Sequence, residues 1–143
     1  MRQAFHTLTV PTNGPGLYEF TAAAQGFVRL ERIGDGLLTC FVRHTSASLL
    51  IQENASPDVR RDLDAFLRRL VPEDAALYRH DDEGPDDMPA HLKSALTQTQ
   101  LTIPVADGRL QLGSWQGIFL LEHRAAAHRR ELVLTLIGED AAA

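Results

Sequence analysis

The sequence of 143 residues contains one cysteine and one tryptophan, and only 6% of it is aromatic. With a single thiol, Cys40, no internal disulfide can form, so the chain must hold together through its apolar core. Cys40 stands in the apolar run Leu38-Thr39-Cys40-Phe41-Val42, where it reads as a small buried hydrophobe, not a nucleophile. Long hydrophobic runs are missing as well. The longest, such as residues 37–42, are too short to cross a bilayer. The first residues carry no apolar signal core, and the expected location is the cytoplasm. There is no repeat or low-complexity segment beyond a short alanine tail, so one domain over 1–143 is expected.

A basic excess is also absent. The formal charge is −5, from 14 Lys and Arg against 19 Asp and Glu. Asp81, Asp82, Glu83, Asp86 and Asp87 account for the whole difference, so the acidity is local. Without a general positive surface, nonspecific nucleic-acid binding is excluded as a function class, because its affinity comes from neutralised phosphates.

What is present is an ordinary globular balance, 44% hydrophobic and 23% charged, with periodicities of both kinds. Residues 3–10 alternate, with Ala4, His6, Leu8 and Val10 on one side, and predict a strand ended by Pro11, Asn13 and Gly14. A helix is expected over 22–33, capped by Thr21 and closed by Gly34. Strands at 37–43 and 47–52 follow, the first placing Leu38, Cys40, Val42 and His44 on one face. Ser56 and Pro57 stand in the cap and first positions of a helix carrying Val59, Leu63, Phe66, Leu67 and Leu70 at helical spacing.

Residues 73–85 read as a loop. Asp87 is placed to cap a short helix through residue 96, with Met88, Leu92 and Leu96 inward and His91 one turn from Asp87. Strands at 101–105, up to Leu112, at 116–122 and at 131–137 complete the pattern, with Asp107-Gly108 as a hairpin turn. The last strand is apolar on both faces, which predicts a central position covered on each side by another layer or another subunit. Strands and helices in this order indicate an α+β fold.

Three segments carry chemistry. His44-Thr45-Ser46-Ala47-Ser48, followed by Glu53-Asn54, packs hydroxyls beside an imidazole at a strand end; it suits phosphate or carboxylate oxygens, or equally a hydrogen-bonded turn. His80 to His91 sets two histidines around five carboxylates. Asp87 and His91, with His80 and His44, have the donor types of a zinc-like site with an open position. Carboxylates alone would suit magnesium and a diphosphate, and a solvated acidic loop is the plain alternative. In Gly113-Ser114-Trp115-Gln116-Gly117, Trp115 could stack on a heterocycle while Gln116 reads its edge, or Trp115 could simply be buried. Glu122, in phase with Ile118 and Leu120, must pair with an arginine or act as a functional acid. Lys93 and Ser94 share the short helix with His91 and are candidates for a phosphate.

These segments, together with Pro57-Asp58-Val59, Glu83-Gly84, Asp86-Asp87-Met88 and His91-Leu92-Lys93-Ser94, resemble the hallmark positions of the YjbQ-like family, also called the secondary thiamine-phosphate synthase family. The resemblance implies an α+β fold with a sandwich-like pair of mostly antiparallel sheets and two or three helices, a homotrimer, and a histidine-rich site near subunit contacts. It also implies a weak transferase activity that joins a pyrimidine methyl diphosphate to a thiazole phosphate, releasing pyrophosphate. On that expectation His44, His91 and Glu122 are catalytic. Thr45, Ser46, Ser48, Asn54, Lys93, Ser94, Trp115 and Gln116 hold a small phosphorylated metabolite. His44, His80, Asp87 and His91 bind a divalent ion, zinc or magnesium. Two other readings stand beside it: a metal-dependent hydrolase of a small phosphate or ester, and a non-catalytic trimeric protein binding a metal or metabolite.

Overall fold

Two long strands dominate the chain: β1 (Arg2–Asn13) and β8 (Ala127–Asp140), paired antiparallel along their whole length. In the computed structural model, which describes residues 1–143, they belong to a five-stranded sheet of order β1-β8-β3-β5-β6. The other members are β3 (Ile33–Val42), β5 (Gln100–Ala106) and β6 (Arg109–Leu110). A second sheet has the order β2-β7-β4, from β2 (Gly16–Glu19), β7 (Gln116–Glu122) and β4 (Ala47–Glu53). The helices are α1 (Thr21–Glu31), α2 (Pro57–Leu70) and α3 (Asp87–Leu96), with a single 3-10 turn at Ala75–Leu77. The expected α+β pair of antiparallel sheets is thus the architecture found.

Alternation decides which side chains meet. In β8, Leu132, Leu134 and Leu136 point inward, in register with Leu38, Cys40 and Val42 of β3. They pack on Leu49 of β4 and Ile118 and Leu120 of β7, so the core lies between the sheets. Truncating a fully buried leucine such as Leu134 to alanine costs about 2–5 kcal/mol. The opposite face of the small sheet is covered too: Phe119 and Leu121 pack on Leu67 of α2. Consequently β7 is buried at every position from Gly117 to Glu122.

The doubly covered strand within one protomer is therefore β7 and not the last strand. The outer face of the five-stranded sheet has no protein layer over it. There Phe5, Leu37, Phe41 and Ile137 are 65%, 46%, 44% and 39% exposed. The register sets Ile137 beside Leu37, and Val133 beside Phe41.

Several boundaries differ from the expected ones for local reasons. Strand β1 continues through Pro11 because it is an edge strand, where one side needs no amide donor. Helix α1 ends at Arg32, which takes the left-handed conformation (φ 56°), ahead of Gly34. Thr21 does not cap it; its hydroxyl donates to Glu19 Oε2 and accepts from the Ile118 amide. By contrast, Ser56 caps α2 as expected by accepting from the Asp58 amide, and Asp107-Gly108 forms its turn with φ of 50° and 71°. Helix α3 is rotated from its expected phase. Its buried residues are Asp87, Pro89, Ala90 and Lys93, while Leu96 is 60% exposed. Asp87 is its first residue and not its cap, and the Asp87 carboxylate turns inward.

Candidate metal centre

The first two turns of α3 and the loop before it bring two imidazoles to one carboxylate oxygen. Asp87 Oδ2 lies 2.8 Å from His80 Nε2 and 3.1 Å from His91 Nε2. One donor atom from each of the three residues falls within 4.8 Å of the others. Asp87 is buried, and its second oxygen is occupied: Arg124 Nη1 donates to Oδ1 at 2.8 Å. The same guanidinium donates through Nε to Asp86 Oδ2 at 3.0 Å, so one arginine orients both aspartates. Burial by itself pushes the Asp87 carboxyl up. The hydrogen bond from His80 and the charges of His91 and Arg124 outweigh it and hold Asp87 below the ordinary aspartate range.

His91 is fixed at its other edge as well. Its Nδ1 lies 2.9 Å from the carbonyl oxygen of Thr45, which can only accept, so Nδ1 carries the hydrogen. In the neutral ring Nε2 then presents a lone pair toward the carboxylate. Two lone pairs 3.1 Å apart need a proton or a metal cation between them. Two imidazoles and one carboxylate are the donor set of a zinc-class ion with an open position, and they fit it better than magnesium, which prefers oxygen. His80, Asp87 and His91 thus suit the divalent ion that the sequence suggested.

His44 lies outside this group, contrary to its expected role as a ligand. Its Nε2 accepts from the Glu131 amide at 2.8 Å, so that nitrogen has no lone pair left for a metal. Burial and the nearby Arg130 charge lower its pKa from the ordinary histidine value. His44 instead lines a cavity of about 300 Å³ with Thr45, His91, Ser94 and Thr99. The Ser94 hydroxyl there is buried and has no partner in the protein. Thr45 and Ser94 of the expected binding residues therefore sit beside the metal cluster.

Glu122 is committed elsewhere. Arg130 Nε donates to its Oε1 at 2.8 Å, Thr12 donates to the same oxygen at 2.6 Å, and the His123 amide donates to Oε2 at 3.0 Å. Burial pushes the Glu122 carboxyl up, but the Arg130 and Thr12 hydrogen bonds hold it below the ordinary glutamate range. Of the two readings the sequence offered, the arginine pair is the one found, and the expected catalytic role of Glu122 is corrected: its carboxylate is the buried partner of Arg130. Ser46 belongs to that ion pair, receiving Arg130 Nη2 on its Oγ at 3.0 Å. Ser48 is buried at 2.8 Å from His123 Nε2.

Lys93 and the tryptophan segment lie apart. Two residues along a helix are about 200° around it, so Lys93 faces away from His91. Sharing α3 with the cluster does not bring it to the cluster. Burial lowers the Lys93 pKa from its ordinary value. Trp115, Gln116 and Asn54 stand at the far end of the β4–β7 ladder, where Glu53 pairs with Gln116 while Ala47 pairs with Glu122. Six strand steps separate those ends by about 20 Å. Trp115 is 65% exposed, Gln116 accepts from the Gly113 amide, and Asn54 donates to Glu19. Within one protomer these three residues do not reach a ligand at the histidine cluster.

The sequence reading missed the roles of Arg124, Arg130 and His123. Arg130 had a legible signal: it shares the inward phase of Leu132, Leu134 and Leu136, so it required a buried acid, and Glu122 stood in the matching phase of its own strand.

Packed antiparallel sheets with a histidine–carboxylate cluster beside α3 define an α+β two-sheet protein with a candidate metal centre. The chain belongs to the UPF0047 YjbQ-like family, whose model matches residues 6–139. It is 53% identical to the UPF0047 protein sll1880 of Synechocystis, over 96% of this chain and 94% of that one. It is 44% identical to the UPF0047 protein YjbQ of Escherichia coli O157:H7, over 93% and 96%. The conserved hypothetical protein TT1486 of Thermus thermophilus has a similar structure, with a TM-score of 0.83 at 36% identity, covering 92% of this chain and 99% of that one. The Synechocystis and Escherichia coli relatives are named by family alone, and neither name indicates a thiamine-phosphate synthase. The expected transferase function is corrected accordingly: what the comparisons establish is the family. No helix is long and apolar enough to cross a membrane.

Proposed function

We propose that the protein binds a zinc-class divalent ion through His80, Asp87 and His91, and that the adjoining cavity takes a small phosphorylated metabolite. The observation that carries this reading is the convergence of His80 Nε2 and His91 Nε2 on one buried carboxylate oxygen, at 2.8 and 3.1 Å. Bound there, such an ion supplies a Lewis-acid position and an acidified water. The chain's own residues do the positioning. Thr45 holds the His91 ring through its carbonyl, and Arg124 holds Asp87 so that Oδ2 faces the imidazoles. The unpartnered Ser94 hydroxyl offers a hydrogen bond to a ligand oxygen in the cavity, which His44 lines together with His91.

Self-association belongs to the same proposal. The resemblance implies a trimer, and the uncovered Phe5, Leu37, Phe41 and Ile137 support association of copies through the outer face of the five-stranded sheet.

The test is metal content after exhaustive dialysis, followed by calorimetric zinc titration of wild type and His91→Ala. Stoichiometric zinc in wild type, with affinity weakened about tenfold or more in the variant, supports the reading. Equal zinc binding by the two proteins, or none by either, overturns it.

A further inference from the structure

Of the 14 basic Lys and Arg side chains, all but Lys93 are arginine. This single lysine is also buried, at 6% exposure, where exposed lysine is the rule. It projects from α3 into a cavity of about 540 Å³, lined also by Arg68, Val71, Glu73 and His123. No carboxylate pairs with its Nζ, and Nζ donates to no acceptor of the chain. Asp64, Glu73 and Asp86 act on it only through space, and Asp64 is engaged with Arg68 at 2.9 Å. With no acceptor in the chain, the enclosed ammonium is left to what enters the cavity, and an anion there would pair its charge as no group of the protein does.

His123 adds a second polar edge. It is 5% exposed, and its Nε2 is taken by Ser48 Oγ at 2.8 Å, while Nδ1 has no protein partner. Ser48 is held in turn by the Thr97 hydroxyl at 2.5 Å. Arg68, 58% exposed, stands at the open side. Lys93 and Arg68 outnumber the one acid in the lining, Glu73. A compact ammonium suits this site as a point charge, where a forked guanidinium would demand two coplanar acceptors. The lining shares no residue with the cavity beside His91.

We infer that this cavity, between α3, the end of α2 and the β7–β8 turn, is a second ligand site that takes the oxyanion group of a small metabolite, with Lys93 as its central donor. Phosphate and carboxylate share the required chemistry. The site does not depend on the metal centre.

Inorganic phosphate and acetate are titrated calorimetrically into chelator-treated wild type, Lys93→Met and a control, Arg61→Ala, at an exposed residue that lines neither cavity. Saturable binding of either anion is expected, unchanged in Arg61→Ala and weakened about tenfold or more in Lys93→Met. Binding of phosphate alone identifies a phosphorylated ligand, and binding of acetate alone a carboxylate. No saturable binding of either anion, or equal affinity in Lys93→Met, overturns the inference. Should Lys93→Met fail to fold, reductive methylation of wild type reads the same question. Only one lysine peptide exists, and the bound anion is expected to slow its labelling; equal labelling with and without anion overturns the inference.

Discussion

The Nδ1 atom of His91 lies 2.9 Å from the carbonyl oxygen of Thr45, a residue 46 positions earlier in the chain. The contact ties the end of the β3–β4 connection to the second turn of α3. It also selects the tautomer in which Nε2 is free to face Asp87 and His80.

Arg124 is the positioning residue on the opposite side of Asp87. Replacing it by methionine removes the donors to Asp86 and Asp87 at 3.0 and 2.8 Å while keeping an apolar stem. Zinc affinity is expected to fall about 10- to 100-fold, with the far-ultraviolet dichroism unchanged. Retained affinity would show that Arg124 does not orient the cluster.

The Glu122–Arg130 pair is buried, so removing one partner strands the other. Arg130→Met is expected to destabilise the fold by about 3–5 kcal/mol in urea unfolding. Replacing both, by glutamine and methionine, should cost less than the sum of the single changes.

Stability should decline on the acid side in two stages. Burial drops the His123 pKa to about 4 from an ordinary value of 6.5, so between those values the unfolded chain takes a proton that the native chain refuses. Stability therefore falls as pH drops from 6.5 toward 4, by up to about 3 kcal/mol, and His123→Gln should flatten that slope. Below it, Asp86, Asp87 and Glu122 have depressed folded pKa values. Their contribution is complete above the ordinary carboxylate range and is lost as pH falls through the folded values. Urea titrations at a series of pH values measure both stages.

Cys40 is enclosed in the core, and burial pushes its thiol up to about 12. It should resist a disulfide reagent at about pH 8 in the native protein and react at once in denaturant. Rapid native labelling would mean that the sheet opens locally around β3.

Phe41→Asp places a charge on the uncovered sheet face, where Phe41 is 44% exposed. Sedimentation should show wild type as an assembly and the variant shifted toward monomer, with the metal cluster's residues untouched.

Most of the framework was legible in the residues. Alternation located the strands: Ala4, Leu8 and Val10 of one inward set and Leu38, Cys40 and Val42 of the other meet the core, while His6, exposed, stacks on Phe27. Ser56-Pro57 marked the start of α2, and Asp107-Gly108 the β5–β6 hairpin, because both are local effects of capping and positive φ. The phase of α3 was not legible. Its apolar stripe of Met88, Leu92 and Leu96 pointed the wrong way, because the ion pairs of Asp87 with Arg124 and the histidines draw the opposite side of the helix inward.

The candidate site divides along the same line. His80, Asp87 and His91 are close in sequence, and an i, i+4 helical spacing already places two of them together. His44, Glu122 and Trp115 looked equally chemical but depend on which strands pair and in which register. The β4–β7 ladder sends Trp115 about 20 Å from Ala47, and the pairing of β1 with β8 delivers Thr12 and Arg130 to Glu122. Local spacing by itself determined the strands, the capped helix and the histidine–aspartate motif, since these require only neighbours along the chain. Which polar groups share a cavity, and which buried charge finds its partner, was decided by the tertiary structure alone, because register and sheet order join residues that the sequence holds far apart.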